Sequence, residues 1–246
     1  MADLPMRDWR EMTTAEIAGA DTSRWIAVLP VAAVGQHGPH LPLSADAIVN
    51  AGILERALAS LPAGLPVTVL PALAGLPALA GLPALEAGGS GEHPDLPGTL
   101  TLTAETMERM GKAIGLSICR AGLRKLLLFD GAAGGTGTTE VIARELRTRF
   151  DMLAITASWR RFDFPDDLVP QPGPADGELE TAMMLALRPD LVRSGPPSGA
   201  GATDGDAERG RRLIDHAAGC LAGLLGEVDR MAAAAPPPGA GPGPGT

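Results

Sequence analysis

At 246 residues with 45% hydrophobic side chains, the chain can enclose one sizeable core. Its formal charge of −9, from 20 Lys and Arg against 29 Asp and Glu, argues against the clustered basic surface of a nucleic-acid binder. Aromatic residues make up only 3% and tyrosine is missing, so base-stacking platforms are excluded as well.

The first ten residues, MADLPMRDWR, lack the basic and then apolar pattern of a secretory leader. Gly and Pro interrupt every apolar run before it reaches membrane-spanning length. The expectation is a cytoplasmic protein with no nucleic-acid and no membrane partner. Trp25 to Val31 is a continuous apolar run, the mark of a buried parallel strand. A loop rich in His, Gly and Pro follows, and apolar residues at helical spacing predict a helix over 45–61. A short β-branched strand is expected over 66–70. The near-repeat LPALAGLPALAGLPAL, beginning at Leu70, carries a proline every six residues and excludes a regular helix. It opens a low-complexity loop over 70–91.

Thr103 is a helix N-cap candidate, Glu105 suits the first turn, and Gly122 supplies the stop. Lys125 to Phe129 predicts a buried strand, 138–149 a helix, 152–157 a strand, and 178–187 and 206–231 two further helices. Strands alternating with helices at this spacing give an α/β fold, with a mostly parallel central sheet flanked by helices. One domain is expected over 1–231, followed by a disordered Pro/Gly-rich tail over 232–246. Cys119 and Cys220 lie in apolar-periodic segments and read as small buried hydrophobes.

Three of the four histidines sit in two compact polar motifs. GQHGPHLPL over 35–43, closed by Asp46 at a helix start, follows a strand. In open parallel sheets ligands collect beyond the carboxyl ends of the strands. A His and an Asp there suit a borderline divalent cation; the alternative is a loop whose histidines only bond its backbone. The second motif, EHPDLPGTL over 92–100, is a tight loop that either lines a pocket or turns the chain into the next helix. A Gly-rich stretch, Gly131 to Gly137, lies between strand and helix. It matches neither GxGxxG nor a P-loop, so nucleotide binding is a minor reading.

These motifs resemble the creatininase family. GQHGPHLPLSAD is similar to the family's EQHGPHLPLGTD, and EHPDLPGTLTL to its EHxxFPGTxSL. LLLFDGAAGGTG stands where the family has a strand and then N-x-HGGN. PADGELETAMMLALRPDLV resembles H-x-G-(E/D)-x-ETSLMLALxPxLV. The resemblance implies a layered α/β fold and a homo-oligomer, often a hexamer. It also implies metal-dependent hydrolysis of a C–N bond in a small cyclic amide or formamide, by two divalent ions bridged by an Asp that activate a water.

Carried over position by position, the resemblance makes His37 and Asp46 metal ligands and Glu178 a metal ligand or catalytic carboxylate. Beside them, Glu92 and His93 would line the substrate pocket; from their places in the sequence, His40 would line it or orient the loop, and Trp159, at a strand end, would line it or pack. Gly35 replaces the first-motif Glu, Ala132 the His of HGGN, Gly135 its closing Asn and Ala175 the His of the last motif. Gly and Ala carry no side-chain donors, so one metal position is dismantled. The other could hold a single Zn, Mn or Fe through His37, Asp46 and Glu178 with water. Two readings stay open: an impaired or mononuclear amidohydrolase, or a non-catalytic creatininase-like subunit or small-molecule binder.

Overall fold

The computed structural model describes residues 4–72, 97–100, 102–132, 136–169, 177–193 and 207–232. Most of the low-complexity loop, Glu92, His93, Gly135, Ala175 and the tail after residue 232 lie outside the described residues.

Four strands form one all-parallel sheet in the order β2-β1-β3-β4. They are β1 (Ile26–Val31), β2 (Val67–Val69), β3 (Lys125–Asp130) and β4 (Leu153–Ser158). A parallel sheet covered on both faces needs strands that are apolar on both sides. Accordingly, β3 is buried at all six positions. Lys125, at its start, is no exception in energy: its ammonium donates to the carbonyls of Val228 and Asp229 at 3.0 and 2.8 Å, at the C-terminal end of a helix.

Successive residues of β1 and β3 point into two separate cores. Ile26, Val28, Leu127 and Phe129 face α2 (Ala45–Ser60), α5 (Glu178–Leu187) and α6 (Ala207–Arg230). Ala27, Leu29, Leu126 and Leu128 face α3 (Ala104–Arg120) and α4 (Thr136–Phe150). The result is the layered α/β architecture that the strand–helix alternation predicts. Thr103 caps α3 by accepting from the Thr106 backbone at 3.2 Å, and Gly122 takes a φ of 93° just beyond its end. A short helix, α1 (Thr14–Gly19), was not expected. Its six residues are too few for a periodic apolar face, although the Thr13–Glu16 capping box is written in the sequence. Cys119 and Cys220 are free thiols, each half-buried.

In-register pairing aligns the carboxyl ends of three strands: Val31 lies beside Asp130, and Asp130 beside Ser158. The polar motifs gather along this edge. Asn50 of α2 ties it together by donating from Nδ2 to the carbonyls of Val31 and Phe129, both at 3.1 Å.

Helices α5 and α6 cross so closely that a Cβ at Gly210 would run into the carbonyl of Ala182, whereas Gly223, farther along α6, meets nothing within 4 Å. Gly210→Ala should therefore lower stability by about 1–3 kcal/mol through forced separation of the helices. Gly223→Ala should raise it by about 0.5–1 kcal/mol through helix propensity. Urea unfolding of the two variants checks both signs.

Candidate functional site

The loop after β1 closes on itself where the Gly35 amide donates to the Leu43 carbonyl at 2.9 Å. This closure carries His37 back over the start of α2, where its Nε2 lies 3.5 Å from Oδ2 of Asp46. Asp46 sits in the first helical turn, where the helix dipole favours a carboxylate. Burial of the His37 ring opposes its protonation. The hydrogen bond and charge of Asp46, helped by Glu180, outweigh that, and its pKa is raised.

The other oxygen of Asp46 is taken by an arginine. After β4 a single 3-10 turn, Trp159–Arg161, turns the chain back over the sheet edge. Nη2 of Arg160 donates to Asp46 Oδ1 at 2.9 Å, its Nη1 pairs with Oε1 of Glu180, and its Nε donates to the Gly131 carbonyl at 3.1 Å. The guanidinium stacks 4.6 Å from the ring centroid of Trp159. The Asp46 and Glu180 side chains are only 3% and 7% exposed, against 23% for Arg160. Two carboxylates withdrawn from water thus share one permanent cation.

The ligands expected from sequence do not all converge. His37 and Asp46 meet, but Glu178 lies two residues before Glu180, which places it roughly 200° around the helix. Its carboxylate pairs with Arg209, which also donates to the Leu168 carbonyl at 2.8 Å. His40 is buried. Thr181 Oγ1 donates its one proton to the Gly177 carbonyl at 2.6 Å, so His40 Nε2, 2.8 Å away, is the donor to Thr181. The first motif is thereby pinned to α5, an orienting role for His40. Trp159 is fully buried beneath Arg160 and faces protein. Gly35 and Ala132 are buried positions without donor atoms.

Arg160 and Glu180 are the partners that sequence reasoning passed over. Arg160 reads as part of a mixed-charge, solvated loop over 160–167, and the acidic weight of α5 falls on Glu178. The available signal was Glu180-Thr181 immediately before the apolar run AMMLAL, whose first three residues are buried, since a charge beside such a stretch needs a partner.

A resident metal does not fit this arrangement. Among the described residues, no three His, Cys, Asp or Glu side chains are grouped so as to hold an ion. His37 and Asp46 supply two donors, Glu178 is committed elsewhere, and the Arg160 guanidinium stands between Asp46 and Glu180.

Two cavities flank the cluster. One of about 200 Å³ is lined by Asp130, Thr139, Thr156, Ser158 and Arg161 among others, along the carboxyl ends of β3 and β4. Another of about 640 Å³ lies between α2 and the β1–β2 edge, lined by Asn50 and Leu54 but by none of His37, Asp46, Arg160 or Glu180. The smaller cavity, too, is lined by none of these four residues, so the charged cluster lies beside both cavities rather than inside either.

Residues 10–216 match the sequence model of the creatininase family, described as creatinine amidohydrolase. The chain belongs to the creatininase family. A creatinine amidohydrolase from Pseudomonas putida is 28% identical over 199 residues, covering 75% of this chain and 71% of that protein. A mycofactocin precursor peptide peptidase from Mycobacterium tuberculosis is 30% identical over 174 residues, covering 68% of this chain; the match spans 60% of the peptidase. Among solved structures, a mutant creatininase of Zn–Zn type superposes with a TM-score of 0.70 at 22% identity, covering 92% of this chain and all of the other. A manganese creatininase gives 0.62 at 22% identity, again covering 92% and 100%. These structural likenesses speak for the fold.

Asp130 offers a direct test of the electrostatics at this edge. Its carboxyl is buried, and desolvation pushes its pKa from 3.8 up to about 6. Acceptance from the Ala132 amide at 2.9 Å and from Thr139 opposes the rise. A raised folded-state pKa means that stability present below pH 3.8 is lost as pH climbs through 6. Asp130→Asn, which keeps the acceptor for Ala132, should exceed the wild type in stability at pH 8 by up to about 3 kcal/mol. The advantage should fade between pH 6 and pH 4, as thermal unfolding at a series of pH values will show.

Proposed function

We propose that this chain is a creatininase-family protein that keeps the family's pocket as a binding site for a small amide-bearing molecule and does not carry out metal-dependent hydrolysis. The observation that carries the reading is Arg160, whose guanidinium occupies two buried carboxylates, Asp46 and Glu180. Donor-free Gly35 and Ala132, at positions where the family resemblance places ligands, point the same way. A small ligand would reach the solvent-accessible edges of His37 and Arg160, which offer N–H donors to a carbonyl. The amide class follows the printed activities of the relatives, an amidohydrolase and a peptide peptidase. A cytoplasmic homo-oligomer, hexameric by family resemblance, completes the proposal.

A second reading keeps some catalysis: a mononuclear hydrolase that breaks a C–N bond with one Zn, Mn or Fe. The close approach of His37 to Asp46, 3.5 Å, favours it, because that pair could hold part of an ion's shell. Glu178 would have to leave Arg209 to become its third ligand or its catalytic carboxylate.

Metal content separates the two. Tag-free protein purified without chelator, and again after incubation with zinc and manganese, should contain close to no bound metal per chain. It should leave creatinine and short peptides intact over hours. One tightly held equivalent, together with hydrolysis that His37→Ala abolishes, would establish the mononuclear enzyme instead.

A further inference from the structure

We propose that Arg160 is an internal cation standing in the place of a divalent ion, and that removing it uncovers a metal site built from His37, Asp46 and Glu180. This deepens the proposed function and rests on it. The site differs from the one that sequence reasoning assembles, because Glu180 replaces Glu178 as the third donor.

Charge is the first argument. Asp46 and Glu180 are nearly sealed from water, and Arg160 is the cation bonded to both. Without it, two buried carboxylates would face each other uncompensated, which proteins avoid by pairing them or by coordinating a metal. The second argument is donor chemistry. One imidazole nitrogen and two carboxylate oxygens make a three-ligand set suited to Zn or Mn, with water as the fourth ligand.

The third argument is spacing. Donors bound tetrahedrally at about 2.0–2.2 Å lie roughly 3.3–3.6 Å apart, and His37 Nε2 and Asp46 Oδ2 are 3.5 Å apart already. Between Glu180 and Asp46 the guanidinium is interposed, bonded to both. The arginine is itself held there, by the Gly131 carbonyl and the Trp159 ring. Its removal would free the volume between Asp46 and Glu180, beside the Asp46 oxygen that His37 approaches.

The test is isothermal titration of tag-free Arg160→Ala with zinc and with manganese, alongside metal-dependent thermal shifts. The wild type should bind neither ion measurably. The variant should take up one ion per chain, with affinity higher by on the order of 100-fold or more, and its Tm should rise with metal. Adding His37→Ala or Glu180→Gln to the variant should weaken binding at least roughly 10-fold. Should Arg160→Ala be insoluble, Arg160→Gln carries the same test, since its amide can still donate to one carboxylate.

A wild type that already binds one equivalent would overturn the metal-free reading and the stand-in role together. A folded Arg160→Ala or Arg160→Gln that binds no ion would overturn the stand-in role alone. Binding that survives Glu180→Gln undiminished would overturn Glu180 as the third donor.

Discussion

Burying two like charges on neighbouring helices is the constraint around which the rest of this molecule is arranged. Asp46 opens α2 and Glu180 lies in the first turn of α5, and these helices pack on the same face of the sheet. Neither carboxylate can move into water without dismantling that layer, so a counter-charge must come to them. Arg160 comes from the opposite direction, off the end of β4, and so links the sheet to both helices. The neighbouring contacts are consistent with that demand: Trp159 supports the guanidinium from below, the Gly131 carbonyl accepts its Nε, and His40 locks the first motif to α5 through Thr181.

Most of the architecture was legible because a parallel sheet leaves a strong pattern. Apolar runs such as Leu126 to Phe129, separated by periodic helices, leave little other than a layered α/β arrangement. The cap at Thr103 and the stop at Gly122 were equally readable, since each rests on a local rule of backbone chemistry. The site was harder. The approach of His37 to Asp46 follows from a short loop leading into a helix, a local relation. The pairings of Arg160 with Asp46 and of Glu178 with Arg209 span 114 and 31 residues. No periodicity or spacing encodes a partner that far away, and a charged residue in a polar loop looks solvated until the fold folds it inward.

Glu178 and Glu180 show how little separates the two assignments. They are two positions apart on one helix, they belong to the same motif, and both are acidic. Their directions differ because a helix turns about 100° per residue. One therefore meets α6 at Arg209 and the other meets the sheet edge at Arg160. Motif matching assigns the chemistry to a stretch of chain; only the helical phase decides which carboxylate faces the sheet edge.

The same constraint bears on the donor-free positions beside the cluster. Gly35 and Ala132 offer no side-chain donor, and any ion at this site would compete with Arg160 for Asp46. Placing a carboxylate at position 35 alone would add another negative charge to a region where two buried carboxylates already share one guanidinium. Replacing Arg160 alone leaves that pair unpaired until an ion arrives. Each single step toward a two-ion centre therefore passes through an uncompensated buried charge, which is costly in a low-dielectric interior. The arginine-filled arrangement therefore resists piecemeal replacement of its internal cation by a bound ion, and the same charge balance ties the buried carboxylates to the fold.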